Sequence, residues 1–150
     1  MNSKMLIILE LIFVISCSKT NLKDNKMNID GTWKLYEATL IEKGDTTITN
    51  FTKNISFIKI INDSHFAFLS HSVPFQKDST STYSSGGGTY TLIGNTYTEH
   101  LEYCSDRAWE NNDFKFTLTQ KGDTLVQSGV EKIEKEGIDR MNIEKYIKLN

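Results

Sequence analysis

Residues 96–104 read TYTEHLEYC, and four of them carry reactive groups: Glu99, His100, Glu102 and Cys104. Carboxylates, an imidazole and a thiol supply metal ligands, general bases and nucleophiles. Spacing decides whether they can act together. The stretch has the period of a strand, which sends successive side chains to opposite faces. Tyr97, Glu99, Leu101 and Tyr103 then share one face, and His100, Glu102 and Cys104 share the other. Glu99 and Glu102 therefore cannot flank one bond as a carboxylate pair. His100 and Cys104 lie too far apart along a strand for a nucleophile–base hydrogen bond. The triplet His100-Glu102-Cys104 climbs about 7 Å per step, too wide for one ion unless another element, carrying His65 or His71, adds ligands. No metal, cofactor or catalytic centre is expected, and the chain reads as a non-enzyme.

The other face is more informative. Glu99 stands there among aromatic residues, and a carboxylate in such surroundings must be paired, hydrogen-bonded or protonated. It serves either as an acceptor for tyrosine hydroxyls or as a polar fixing point in a ligand pocket. Just upstream, Gly86-Gly87-Gly88 invites comparison with a phosphate cradle. That device needs a helix N-terminus behind it. Here the glycines run into Thr89-Tyr90-Thr91, which reads as a strand, so they are expected to mark a bend or bulge. The motifs G-x-S-x-G and H-E-x-x-H do not occur.

The elements that must position these residues are strands. In FKFTLT, Phe114, Phe116 and Leu118 alternate with Lys115, Thr117 and Thr119. Ile55, Phe57 and Ile61 alternate in NISFIKII, where Ile58 and Ile60 make the other face apolar too. Turn signals divide the strands at Lys43–Thr46, Asn62–Ser64, Gly94-Asn95 and Lys121–Thr124. KGDT occurs at 43–46 and again at 121–124, which reads as one turn chemistry used twice. Residues 130–142 interrupt the pattern with charge and predict a short helix or a long loop, before a last strand at 142–150. The pattern predicts an all-β chain, an antiparallel meander closed into a barrel or packed as a sandwich.

The ends add a location. MNSK is followed by the apolar run MLIILELIFVI and then VISC, which describes a secretory signal rather than a spanning helix. Val14-Ile15-Ser16-Cys17 resembles a bacterial lipobox, and that resemblance implies acylation of Cys17. The expected organisation is a signal peptide over 1–16, a lipidated tether over 17–29 and one domain over 30–150. With Cys17 acylated, Cys104 has no partner for a disulfide. A formal net charge of −2 and only two arginines, Arg107 and Arg140, give no basic stripe for nucleic acid.

Gly31-Thr32-Trp33 resembles the G-x-W that opens lipocalin barrels. GGGTYTLIGNTYTEHLEY resembles the G-G-T-Y hairpin and Y-x-E-x-x-E-Y strand of small bacterial lipocalin-like lipoproteins. NIEKYIKL resembles their final strand, with Tyr146 where a tryptophan is usual. Lys148 is the candidate nearest to the arginine that stacks on the opening tryptophan in lipocalins. The resemblance spans residues 31–149 and implies a lipocalin-like (calycin-type) barrel with a lumen. The expected function is binding of a small apolar or amphipathic molecule. Tyr90, Tyr97, Glu99 and Tyr103 would line the lumen, with Arg107 and Trp109 near its mouth. The protein would be held through Cys17 on the bacterial outer membrane, on its periplasmic face. The alternative is a structural or interaction lipoprotein with a filled barrel that works through its surface.

Overall fold

The computed structural model of the protein describes residues 27–73 and 81–149; the signal segment, Cys17 and most of the tether lie outside them. Nine strands follow one another: β1 (Gly31–Glu42), β2 (Asp45–Asn50), β3 (Ile55–Ile61), β4 (His65–Ser72), β5 (Tyr83–Ile93), β6 (Thr96–Cys104), β7 (Asn112–Lys121), β8 (Thr124–Ile133) and β9 (Ile138–Leu149). Each pairs antiparallel with its neighbours, and β1 also pairs with β9 over Thr32–Glu42, which closes the sheet. β2 and β3 share one edge of β1, β3 alongside Gly31–Lys34 and β2 alongside Glu37–Glu42. The nine strands thus fill eight positions around a closed, lipocalin-like barrel. Closure pairs the strand edges that would otherwise template aggregation.

One end is plugged. Trp33 is fully buried there and its indole N–H donates to the Ile29 carbonyl at 2.8 Å. Ile29 is itself buried, so the packed body already includes the residues just ahead of Asp30. Lys148 lays its ammonium 5.3 Å from the centre of the Trp33 ring, a cation–π contact in the position where the sequence offered it. Gly31 makes room: its φ is +130°, and a Cβ there would stand 2.9 Å from the Lys148 stem. Leu35, Ile61, Phe66, Leu118 and Leu125 complete this core.

Residues 130–142 hold the short helix as a single 3-10 turn at Glu134–Glu136, but the rest of the segment is strand, so β8 runs on to Ile133 and β9 begins at Ile138. Their alternation is inverted. Asn142 and Tyr146 are buried, whereas Val130, Met141 and Ile147 are exposed on the outer wall. Charge along these strands marks the lumen rather than a loop. The two KGDT turns also differ. In the first, Glu42 pairs with Asp45, and Lys43 and Gly44 both take positive φ. In the second, Lys121 pairs with Thr124, and Gly122-Asp123 forms the two-residue loop. One tetrapeptide thus serves two hairpin frames, because either a Lys-Gly or a Gly-Asp pair can bridge strands.

The triple glycine lies within β5, where backbones approach closely. A Cβ on Gly88 would fall 2.0 Å from the His100 carbonyl oxygen, and one on Gly87 would fall 2.6 Å from that of Phe66. Here β6 carries a bulge: Gly88 pairs with Leu101 and Gly87 with Tyr103, leaving Glu102 as the extra residue. Gly88→Ala is expected to lower stability by at least about 1–3 kcal/mol, since the obstacle is backbone that cannot swing aside. A urea unfolding midpoint equal to that of the parent would contradict this.

Candidate functional site

A cavity of about 310 Å³ occupies the barrel towards the end opposite Trp33. Its mouth is framed by Ser84, Asp106 and Trp109, at the ends of β5 and β6 and in the connection to β7. Phe57, Phe68, Leu101, Phe114 and Phe116, from β3, β4, β6 and β7, form an apolar wall. Phe57 and Phe68 stack with centroids 5.7 Å apart. Facing them, β8 and β9 contribute Gln127, Glu131, Arg140, Asn142 and Glu144. The lumen therefore has two sides of different chemistry.

Lys59 and Glu99 form a buried ion pair on the floor of this cavity, with side chains 5% and 9% exposed. The ammonium also donates to Gln127 Oε1 at 2.9 Å and sits between 5.3 and 5.7 Å from the ring centres of Phe66, Tyr97 and Tyr146. Glu99 thus meets a lysine, with the Tyr97 hydroxyl beside it. Tyr97 Oη is buried without a well-formed hydrogen bond. Burial, then the neighbouring Glu99 carboxylate, pushes this phenol far above its ordinary range. Near the mouth Arg140 Nε donates to Glu131 Oε2 at 2.7 Å, and its guanidinium lies 5.0 Å from the Trp109 ring centre. On β9, Tyr146 Oη donates to Glu144 Oε2 at 2.7 Å.

Burial raises the Glu144 carboxyl above its ordinary value, and the carboxylates of Glu131 and Glu99 add to this; Lys59 and the Tyr146 hydroxyl oppose it. A carboxyl raised on folding contributes stability that is complete below its unfolded pKa and lost as pH climbs through the folded value. Glu144→Gln keeps an acceptor for Tyr146 and removes the titration. The variant is expected to gain stability relative to the parent as pH rises above about 4. Urea denaturation across that range checks it; a constant difference between the two proteins would contradict it.

Of the residues singled out in the sequence, Glu99 and Trp109 line the cavity. Trp109 sits in the 3-10 turn Arg107–Trp109, whose first turn is capped by Asp106 accepting from Ala108 N at 3.2 Å. Tyr97 lies deeper, packed 5.1 Å from Tyr90, and Tyr90 borders a separate cavity of about 150 Å³ near Ile29 and Asp63. Arg107 stays at the rim, highly exposed, with Nε 2.7 Å from Glu110 Oε2. Tyr103 is a correction: it is 68% exposed and points away from the lumen. The bulge at Glu102 reverses the alternation, so Tyr103 turns out and Cys104 turns in to line the cavity. Cys104 is a free thiol whose pKa is raised, chiefly by burial. The same reversal breaks up the triplet: His100 Nδ1 pairs outside with Asp113 at 2.6 Å, and Glu102 accepts from Thr89 at 3.0 Å. Among the described residues no cluster of His, Cys, Asp or Glu is arranged to hold a metal ion.

Lys59, Gln127, Glu131, Arg140, Asn142 and Glu144 were not singled out in the sequence. Their signal was present: Lys59 is in phase with Phe57 and Ile61, and Arg140, Asn142, Glu144 and Tyr146 recur at every second position. No protein-family model matches the chain, and no curated protein shows detectable similarity to it.

Proposed function

We propose that the protein is a non-enzymatic, membrane-anchored binder of a small amphipathic molecule in the bacterial cell envelope. The observation that carries this reading is the two-sided lumen: an aromatic wall from β3, β4 and β7 faces a polar wall from β8 and β9 across about 310 Å³. That volume reaches the lower end of the range for small-molecule pockets, which are mostly apolar with a few placed polar groups. A filled barrel acting through its surface accords less well with such a space.

The contact test uses 8-bromo-octan-1-ol, whose bromine quenches a tryptophan it touches. Trp109 borders the cavity, whereas Trp33 is sealed in the opposite end. Saturable quenching that disappears in Trp109→Phe is the expected result. Unsaturable quenching, or quenching unchanged in that variant, would sink the lumen reading.

Anchoring is proposed from Val14-Ile15-Ser16-Cys17 after the apolar run. Acyl chains contribute about 0.8 kcal/mol per buried methylene, enough together for a firm hold. Metabolic palmitate labelling is expected for the parent and not for Cys17→Ser. Labelling that persists in the variant would remove this part of the proposal.

A further inference from the structure

One acceptor in the lumen is left without a partner among the described residues. Asn142 is 6% exposed and lines the cavity. Its amide N–H donates to Glu131 Oε1 at 2.7 Å, while Oδ1 accepts from no donor among the described residues. Glu144, two residues further along β9, lines the same cavity. Such an orphaned acceptor costs about 1–3 kcal/mol of lost solvation, which a suitable ligand group recovers.

Two ion pairs form within the lumen: Lys59 pairs with Glu99, and Arg140 pairs with Glu131. Asp106, at the mouth, caps the 3-10 turn. Glu144 accepts from the Tyr146 hydroxyl and has no cation within ion-pair distance among the described residues. We propose that Asn142 Oδ1 and Glu144 receive the ammonium group of a small alkyl amine, whose chain lies against the aromatic wall. The assignment rests on the reading of the lumen as a ligand pocket.

The chemistry discriminates between head groups. An alkylammonium brings three donors and no acceptor, which suits an amide oxygen beside a carboxylate. An alcohol brings one donor. A carboxylate head brings only acceptors and cannot satisfy Asn142 Oδ1. Glu144 is raised by burial and by Glu131 and Glu99, against Lys59 from β3 and Tyr146 on its own strand. An arriving cation favours the ionised carboxyl, so its proton leaves to solvent as the amine binds. Affinity then rises with pH for as long as the amine stays protonated.

The test is isothermal titration calorimetry with octylammonium, octan-1-ol and octanoate, in buffers of different ionisation enthalpy. Octylammonium is expected to bind about tenfold tighter than octanoate, or more, the difference one charge-assisted hydrogen bond makes. It should release a proton and tighten with pH. Glu144→Gln should lose the preference and the proton release. If that variant does not fold, ranking and proton release in the parent still decide. Octanoate binding as tightly as octylammonium, or no proton release, would overturn the amine assignment and leave the pocket intact. Failure of all three probes to bind would overturn the assignment and the pocket together.

Discussion

Lys59→Met is expected to destabilise the barrel by about 3–5 kcal/mol, the usual cost of removing one partner from a buried ion pair. The loss comes less from the attraction forgone than from the groups left behind. Glu99 would remain buried, with Glu144 and Glu131 facing the same space and no ammonium between them. Glu131 keeps Arg140, so the stranded charge is chiefly that of Glu99. Adding Glu99→Gln to Lys59→Met removes the stranded charge and should restore a substantial part of the stability. Urea denaturation of the four proteins of this double-mutant cycle reads the coupling directly. If the double variant is as unstable as the sum of the single ones, the pair is not the unit described here.

Trp33→Ala is expected to cost about 3–5 kcal/mol, the range for large aromatic residues truncated in a core. Two further losses accompany the cavity. The Ile29 carbonyl loses its indole donor, and Lys148 loses the ring beneath its ammonium. Trp33→Phe separates these effects, because it restores most of the packing and the ring face but no N–H; it should recover more than half of the loss. Domains of this size are stable by about 5–15 kcal/mol, so either single variant consumes a large share. A Trp33→Ala protein with the thermal midpoint of the parent would show that the barrel end is not closed as described.

The fold was readable where apolar residues face inward. Phe114, Phe116 and Leu118 alternate in the sequence and are all buried in β7. It was unreadable where the sense of alternation is inverted. In β9 the buried face carries Asn142 and Tyr146, and the outer face carries Met141 and Ile147. A period-two pattern gives the two faces but not their polarity, and a polar lumen exchanges them. Lys59 shows the same difficulty: flanked by Ile58 and Ile60, it resembles an exposed residue, yet it shares the inner face with Phe57 and Ile61.

The candidate site was half legible for a second reason. Glu99 was recognised from its aromatic neighbours, but its partner lies 40 residues away on another strand, beyond local pattern. Tyr103 was assigned inward because a strict alternation was assumed across Glu102. One extra residue in a ladder turns everything beyond it over. Gly87 and Gly88, which read as a bend or bulge, mark that insertion, since only glycine tolerates a carbonyl as close as that of His100.

The central claim is that a small molecule occupies the polar-and-aromatic lumen. Native mass spectrometry of the protein isolated under gentle conditions from its own cells tests it most directly. The account predicts a species heavier than the protein alone by one small molecule, which dissociates on unfolding and is released as an amphipathic compound. A spectrum showing only the protein, unchanged after incubation with excess octylammonium and octan-1-ol, would contradict it.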